Sequence, residues 1–263
     1  MRVTPVFFDP LDDQSFRARE HTRGPWHPDY QHGGPPAGLL GRAIERLLPA
    51  DFLVARMTLV FTRPVPIATL RVTAAVTRDG RTVKEATASL TTAEGLLVAR
   101  ADALAIRTAK VDLPAALPPA ATPPPGRPET SAQFRFPFFA SSVGYHTAMD
   151  IRFVSGSFGH GPVQAWMRML GALVAGEDPS PLQRVLCAAD SGNGVSVVLP
   201  VDRYTFVNPD LTVALIRPLN GSWVCLDAGT TPAGTGIGLA DARLWDEVGL
   251  LGRAVQTLVV APR

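Results

Sequence analysis

Apolar and polar side chains alternate through residues 53–62, LVARMTLVFT, with Leu53, Ala55, Met57, Leu59 and Phe61 on one side. The same period of two runs through residues 69–78, TLRVTAAVTR, where Leu70, Val72, Ala74 and Val76 share a face and the other carries mostly threonines. Asp79-Gly80 and Glu94-Gly95 are turn signals, so strands near 82–92 and 96–107 complete an antiparallel meander. Ahead of the meander the period changes to that of a helix. In YQHGGPPAGLLGRAIERLL, residues 30–48, Leu39, Leu40, Ala43, Ile44, Leu47 and Leu48 form an apolar stripe opposite Arg42, Glu45 and Arg46. Pro35 and Pro36 suit a first helical turn, where no intrahelical donor is lost. Gly33 and Gly34 lack a Cβ, so a backbone or a ligand can come close to the helix start, whose unpaired N–H groups suit a carbonyl oxygen or an anion. A tight turn feeding a core helix satisfies the same residues. One helix at about 34–48 on a meander predicts an α+β domain.

The second half repeats the first. Residues 56–106 laid without a gap on 210–260 give 13 identities in 51 positions, where this composition would give about four by chance. The identities include Thr58/Thr212, Arg63-Pro64/Arg217-Pro218, Gly80/Gly234 and Gly95-Leu96-Leu97/Gly249-Leu250-Leu251. Strands are predicted at 149–156 and 163–170, then a helical segment at 179–199 that its glycines can kink. This correspondence sets Ala189-Asp190 in the place of Gly33-Gly34. Between the copies, LPAALPPAATPPPGRPE, residues 113–129, carries seven prolines and reads as a stiff connector. The organisation expected is therefore 1–112, a linker 113–130, and 131–263.

Composition narrows the function classes. The 263 residues, 46% of them hydrophobic, are enough for two cores, and no apolar run is long enough to span a bilayer. The start, MRVTPVFFDPLDDQ, lacks a signal-peptide pattern, and Cys187 and Cys225 have no metal-like spacing. Both features predict a cytoplasmic protein with buried free thiols. The 25 basic and 23 acidic residues are spread along the chain, with no basic block to suggest nucleic acid. None of His21, His27, His32, His146 and His160 stands at metal-ligand spacing, and neither a Gly-x-Ser-x-Gly elbow nor a Walker loop occurs. GTTPAGTGIG, residues 229–238, lacks a P-loop lysine and reads as a loose hairpin.

Three polar residues stand out. Asp190, between RVLCAA and SGNG, is either a helix N-cap or a general base holding an attacking water. Gln256 lies in a predicted strand with Ala254 and Leu258 on its own face, and if that face is inward its amide needs partners, since an unpaired one costs about 1–3 kcal/mol. Its counterpart in the first copy is Asp102. Asn208, before Pro209, is a turn residue or, facing Asp190, an amide that orients water.

Two helix-and-meander copies, HGGPPAGLL opening the first helix, and CAAD, LTVALIRPLNGSW and GLLGRAVQ in the second copy resemble the double hotdog acyl-CoA thioesterases, the TesB-like family, over nearly the whole chain. The resemblance implies a double hotdog α+β fold and hydrolysis of a fatty acyl-CoA or related acyl thioester without a cofactor beyond the substrate's own CoA. It implies a water held by an Asp, a Thr and a Gln. Carried across, these fall on Asp190, Asn208 and Gln256, with Asn208 departing from the family's Thr and Thr212 the nearest hydroxyl in the same strand. His32, Gly33 and Gly34 would meet the thioester at the seam between copies, giving one site per chain. The Asn208 departure also motivates an acyl-thioester-binding protein that has lost the reaction. A hydratase using His146 and Asp150 is a third reading. Exposed sheet edges suit a homodimer or larger homo-oligomer.

Overall fold

The computed structural model describes residues 4–114, 125–137, 139 and 141–263. Most of the proposed linker, residues 115–124, lies outside the described residues. The strands are β1 (Val6–Pro10), β2 (Ser15–Ala18), β3 (Phe52–Phe61), β4 (Thr69–Asp79), β5 (Val83–Thr92), β6 (Leu97–Arg107), β7 (Ala132–Gln133) and β8 (Met149–Ser155). They continue with β9 (Val163–Met169), β10 (Ala172–Val174), β11 (Tyr204–Val207), β12 (Asp210–Leu215), β13 (Val224–Pro232), β14 (Ile237–Trp245) and β15 (Leu250–Pro262). Among the described residues the α-helical segments are α1 (Gly34–Glu45), α2 (Tyr145–Ala148), α3 (Pro181–Ala189) and α4 (Gly192–Val195). The strands join in one sheet, ordered β10-β1-β2-β4-β5-β6-β3-β12-β15-β14-β13-β9-β8-β7, with β11 paired to β15.

The two halves meet where β3 pairs antiparallel with β12, and Thr58 stands directly opposite Thr212. These are the residues that the 154-position repeat equates, so a local two-fold axis passes through this pair, whose hydroxyls are 3.2 Å apart. The strands predicted at 53–62, 69–78, 82–92 and 96–107 form within one or two residues of those limits. Their inward positions, among them Met57, Leu59, Leu70, Val72 and Leu90, are buried beneath α1. In the second half the regular β13–β14 hairpin replaces the loose one expected at 229–238, because the Thr230↔Ala240 and Pro232↔Gly238 pairs carry the ladder almost to the turn.

The helices run against each other, and small residues set their approach. A Cβ on Gly34 would stand 2.5 Å from the Cys187 carbonyl oxygen, and one on Gly38 would stand 2.8 Å from Cys187 Sγ. Such contacts are closer than packed side chains allow, so glycine is required along this face. At the far end of α1, Glu45 accepts hydrogen bonds from Ser180 Oγ (2.6 Å) and Gln183 Nε2 (3.3 Å). Arg42, expected on the polar face, is instead buried and bidentate to Glu177 at 2.6 and 2.5 Å.

This arrangement corrects two readings of the sequence. Asp190 does not occupy the place of Gly33-Gly34 in the second copy. The helical stretch expected at 179–199 begins at Pro181, capped by Ser180, and breaks after Ala189, so Asp190 ends α3 rather than starting a helix. Ser180-Pro181 is the true mate of the α1 start. Nor is Asp102 the counterpart of Gln256. Asp102 pairs with Thr87 and is exposed, whereas the residue opposite the equivalent Asp241 is Val255. The turn before β15 is one residue shorter than that before β6, so the register moves by one and Gln256 takes the inward place of Ala103. A one-residue shift in a strand exchanges its faces.

Candidate active site

Pro35 and Pro36 carry no N–H, and Ala37 N–H is bonded to the Gly33 carbonyl. The start of α1 therefore presents a single helical donor, Gly34 N–H, directed at His32 Nδ1 at 3.0 Å. The antiparallel packing brings the end of α3 to the same point. His32 Nδ1 is also 3.0 Å from Asp190 Oδ2, and the Asp190 side chain is only 3% exposed. A ring nitrogen cannot accept and donate at once. Nδ1 either receives Gly34 N–H or, in the tautomer that carries its hydrogen there, donates to Asp190 and leaves Gly34 N–H without that acceptor.

The His32 ring is fixed by stacking on Tyr145, centroid to centroid 3.8 Å and nearly parallel. Tyr145 is fully buried, its hydroxyl donating to the Cys187 carbonyl (2.6 Å) and paired with Ser191 Oγ (2.9 Å). Burial pushes the Tyr145 phenol well above its ordinary pKa, so it stays neutral.

The other Asp190 oxygen is held by amides. Asn208 Nδ2 donates to Oδ1 at 2.8 Å and to the Asp210 carbonyl at 3.1 Å. Gln256 Nε2 donates to the Asp190 carbonyl (3.0 Å) and to Oδ1 (3.3 Å), while Gln256 Oε1 accepts Asn193 N–H (3.0 Å). Buried in the core, the Gln256 amide is thus paired at both ends, as the cost of an orphaned amide requires. A Cβ on Gly33 would lie 2.7 and 2.8 Å from the two Asp190 oxygens, which is the physical reason a glycine precedes the helix.

The structure therefore gathers Asp190, Asn208, Gln256, His32, Gly33 and Gly34 at one place. Thr212 is not part of it, being engaged with Thr58 on the two-fold axis. Asp150 is taken by Arg152 and Arg168, with no hydrogen bond to His146 among the described residues. The sequence pattern did not reveal Tyr145, Asn193 or Ser191, since the contacts that bring them to the site, Tyr145 with His32, Cys187 and Ser191, and Asn193 with Gln256, span 42 to 113 residues with no local periodicity to mark them.

Asp190, His32, Gly33 and Asn208 line a cavity of about 350 Å³. Its buried end is polar, its walls include Trp26, Phe61, Val65, Phe136 and Phe139, and its rim is formed by the exposed residues His27, Tyr30, Thr62, Arg63 and Pro64. Among the described residues no three His, Cys, Asp or Glu side chains are grouped as metal ligands. No described helix is long and apolar enough to cross a membrane, and Cys187 and Cys225 are buried and unpaired.

Comparison with known proteins agrees with this architecture. A protein of unknown function with a hot dog fold from Alicyclobacillus acidocaldarius superposes with a TM-score of 0.70 at 18% identity, over 96% of this chain and 95% of that one. The acyl-CoA thioesterase II TesB2 of Mycobacterium marinum gives 0.64 at 16% identity, over 97% and 95%. The tesB protein of Mycobacterium avium subsp. paratuberculosis gives 0.66 at 14%, over 97% and 96%. At these identities the likeness concerns the fold, which is hotdog-type. No curated protein sequence matches the chain significantly. The family profiles match directly, the acyl-CoA thioesterase N-terminal domain over residues 22–108 and the C-terminal domain over residues 114–260, and the chain belongs to the acyl-CoA thioesterase family.

Proposed function

We propose that the protein hydrolyses a fatty acyl-CoA, or a related acyl thioester, to the free acid and CoA. The observation that carries this reading is the buried Asp190 carboxylate, held by two amides and His32 against one end of an apolar-walled cavity. Asp190 accepts a proton from water as the water oxygen adds to the thioester carbonyl carbon. Both Asn208 Nδ2 hydrogens are committed, to Asp190 and to Asp210, which leaves its carbonyl oxygen to orient that water. Gln256, with its hydrogens on Asp190, positions the carboxylate rather than the water.

As the tetrahedral adduct forms, its oxygen gains negative charge next to the start of α1. Protonated at Nδ1, His32 donates to Asp190, and Gly34 N–H is then open to the oxyanion, aided by the helix dipole. Collapse breaks the C–S bond, and the proton taken from water leaves with the CoA thiolate. No metal enters these steps. Gly33, which lines the cavity without a Cβ, leaves the thioester room beside the carboxylate, whereas Gly34 is packed on the Cys187 carbonyl and contributes its N–H.

The same reading makes the chain a double hotdog, with modules 1–112 and 131–263 joined by 113–130, one site per chain, and a cytoplasmic location. It takes a small-molecule acyl-CoA and not nucleic acid, and self-associates into a homodimer or larger homo-oligomer through sheet edges. Thiol release from acyl-CoAs of graded length and branching is the direct test. Turnover of any of them supports the proposal, and tight acyl-CoA binding with no thiol released across the panel replaces it with a binding protein of the same fold.

A further inference from the structure

The repeated Arg-Pro pair is used differently in the two halves. In the second, Arg217 grips Asp246 through two hydrogen bonds of 2.6 and 2.7 Å. Asp246 is 0% exposed and also accepts N–H groups from Asn220, Val248 and Gly249 at 2.8, 2.9 and 3.0 Å. This arginine is held by a buried carboxylate, with a further hydrogen bond to the Pro218 carbonyl at 3.3 Å. In the first half, the repeat sets Arg63 in the place of Arg217 and Thr92 in the place of Asp246. Among the described residues no carboxylate lies within ion-pair distance of Arg63, and its side chain there hydrogen-bonds only the Leu97 carbonyl, from Nη1 at 3.1 Å.

Arg63 is exposed and stands on the rim of the cavity whose buried end is Asp190. Asp190 is the only acidic side chain among the lining residues, so the rim carries a guanidinium without a counter-charge. A guanidinium fork matches a phosphate, and an uncompensated one at the entrance draws anions in. We propose that Arg63 binds a phosphate group of the substrate's carrier, so that the site takes thioesters of phosphorylated pantetheine with the acyl group inward and the phosphate at the rim. This rests on the thioester-hydrolase reading above. The phosphate comes from CoA or from phosphopantetheine, and the test separates the two.

The experiment compares wild type, Arg63→Ala and Arg63→Lys on one acyl group carried by CoA, by 4′-phosphopantetheine and by pantetheine. Loss of the arginine should raise KM about tenfold for the phosphorylated carriers, leave kcat unchanged, and leave the pantetheine thioester within twofold. The lysine variant should recover part of the loss, and the difference between wild type and Arg63→Ala should shrink at high salt. An effect on CoA alone places the contact on the adenosine-side phosphates. An effect on both phosphorylated carriers places it on the 4′-phosphate. Equal changes on all three carriers, or none, overturn the proposal. If wild type releases no thiol from any carrier, the hydrolase reading falls, and calorimetry with free CoA still judges Arg63: tenfold weaker binding by the variant upholds it and equal binding overturns it.

Discussion

Replacing Gly33 by alanine puts a single methyl group against the candidate site. Gly33 has φ −67° and ψ −21°, a conformation alanine accepts, so the penalty is purely one of contact. The new Cβ would be 2.7 and 2.8 Å from the Asp190 oxygens and 2.8 Å from Phe61 Cζ. Ordinary contact starts at 3.4 Å, so the carboxylate must retreat by about 0.7 Å. It cannot do so and keep its 3.0 Å contact with His32 and its 2.8 Å bond from Asn208. Overpacking of this kind costs about 1–3 kcal/mol, and a displacement approaching 1 Å at a reacting group costs up to about a hundredfold in rate. Gly33→Ala is therefore expected to lower kcat/KM for acyl-CoA hydrolysis by about 10- to 100-fold while remaining folded, read by thiol release alongside urea denaturation. Gly41→Ala, further along α1, is the control: its Cβ would meet Leu186 of α3 but not Asp190, so it should lose stability and keep its activity per folded molecule. Wild-type kcat/KM in Gly33→Ala would refute the reasoning that this glycine exists to admit the carboxylate.

Other perturbations separate support from chemistry. Arg217→Ala strands a fully buried Asp246 and should destabilise the fold by about 3–5 kcal/mol in urea unfolding. Burial alone would raise the Asp246 pKa, but the hydrogen bonds from Arg217 and three backbone N–H groups outweigh it and hold the carboxyl below its ordinary value. Its stabilisation is thus present above about pH 4 and is lost as pH falls through the lower folded-state pKa, so the acid limb of unfolding should flatten in Asp246→Asn. Gln256→Leu leaves Asn193 N–H and the Asp190 carbonyl without their partner, at about 1–3 kcal/mol each, and should lower kcat because the carboxylate loses a hydrogen bond. Tyr145→Phe keeps the ring against His32 but orphans the Cys187 carbonyl; a drop of about 1–3 kcal/mol in stability with kcat nearly intact is expected, and a large kcat loss would give the hydroxyl a chemical role.

The strands were legible because Met57, Leu59, Leu70, Val72, Ala86, Ala88 and Leu90 recur at a period of two and point into one core. The bulge between Val54 and Arg56, by contrast, puts Phe52 and Val54, not the expected Leu53 and Ala55, on the buried face, and Val76 is exposed. The repeat was legible too, and the Thr58–Thr212 pair shows why: the two copies meet residue for residue across the axis. What the linear comparison lost was a single residue in the turn before β15. Identities at Gly95-Leu96-Leu97 and Gly249-Leu250-Leu251 aligned cleanly in sequence, yet the strands pair one position out of that register. Asp102 and Gln256 consequently look equivalent and face opposite ways. The His32–Asp190 contact was hidden for another reason. It joins residues 158 positions apart, and it depends on α1 and α3 lying antiparallel, which no local pattern encodes. The glycines at 33 and 34 could be read as an approach point from the sequence, but the group that approaches could not.

The central claim is that Asp190 activates the water that cleaves the thioester. The most direct measurement is thiol release from the best acyl-CoA substrate by wild type and by Asp190→Asn. The two should be compared at equal concentrations of folded protein, with acyl-CoA binding followed in parallel. Removal of a general base at this position predicts a fall in kcat of about 10²- to 10⁴-fold with binding retained. An Asp190→Asn variant that turns over as fast as wild type would contradict the account.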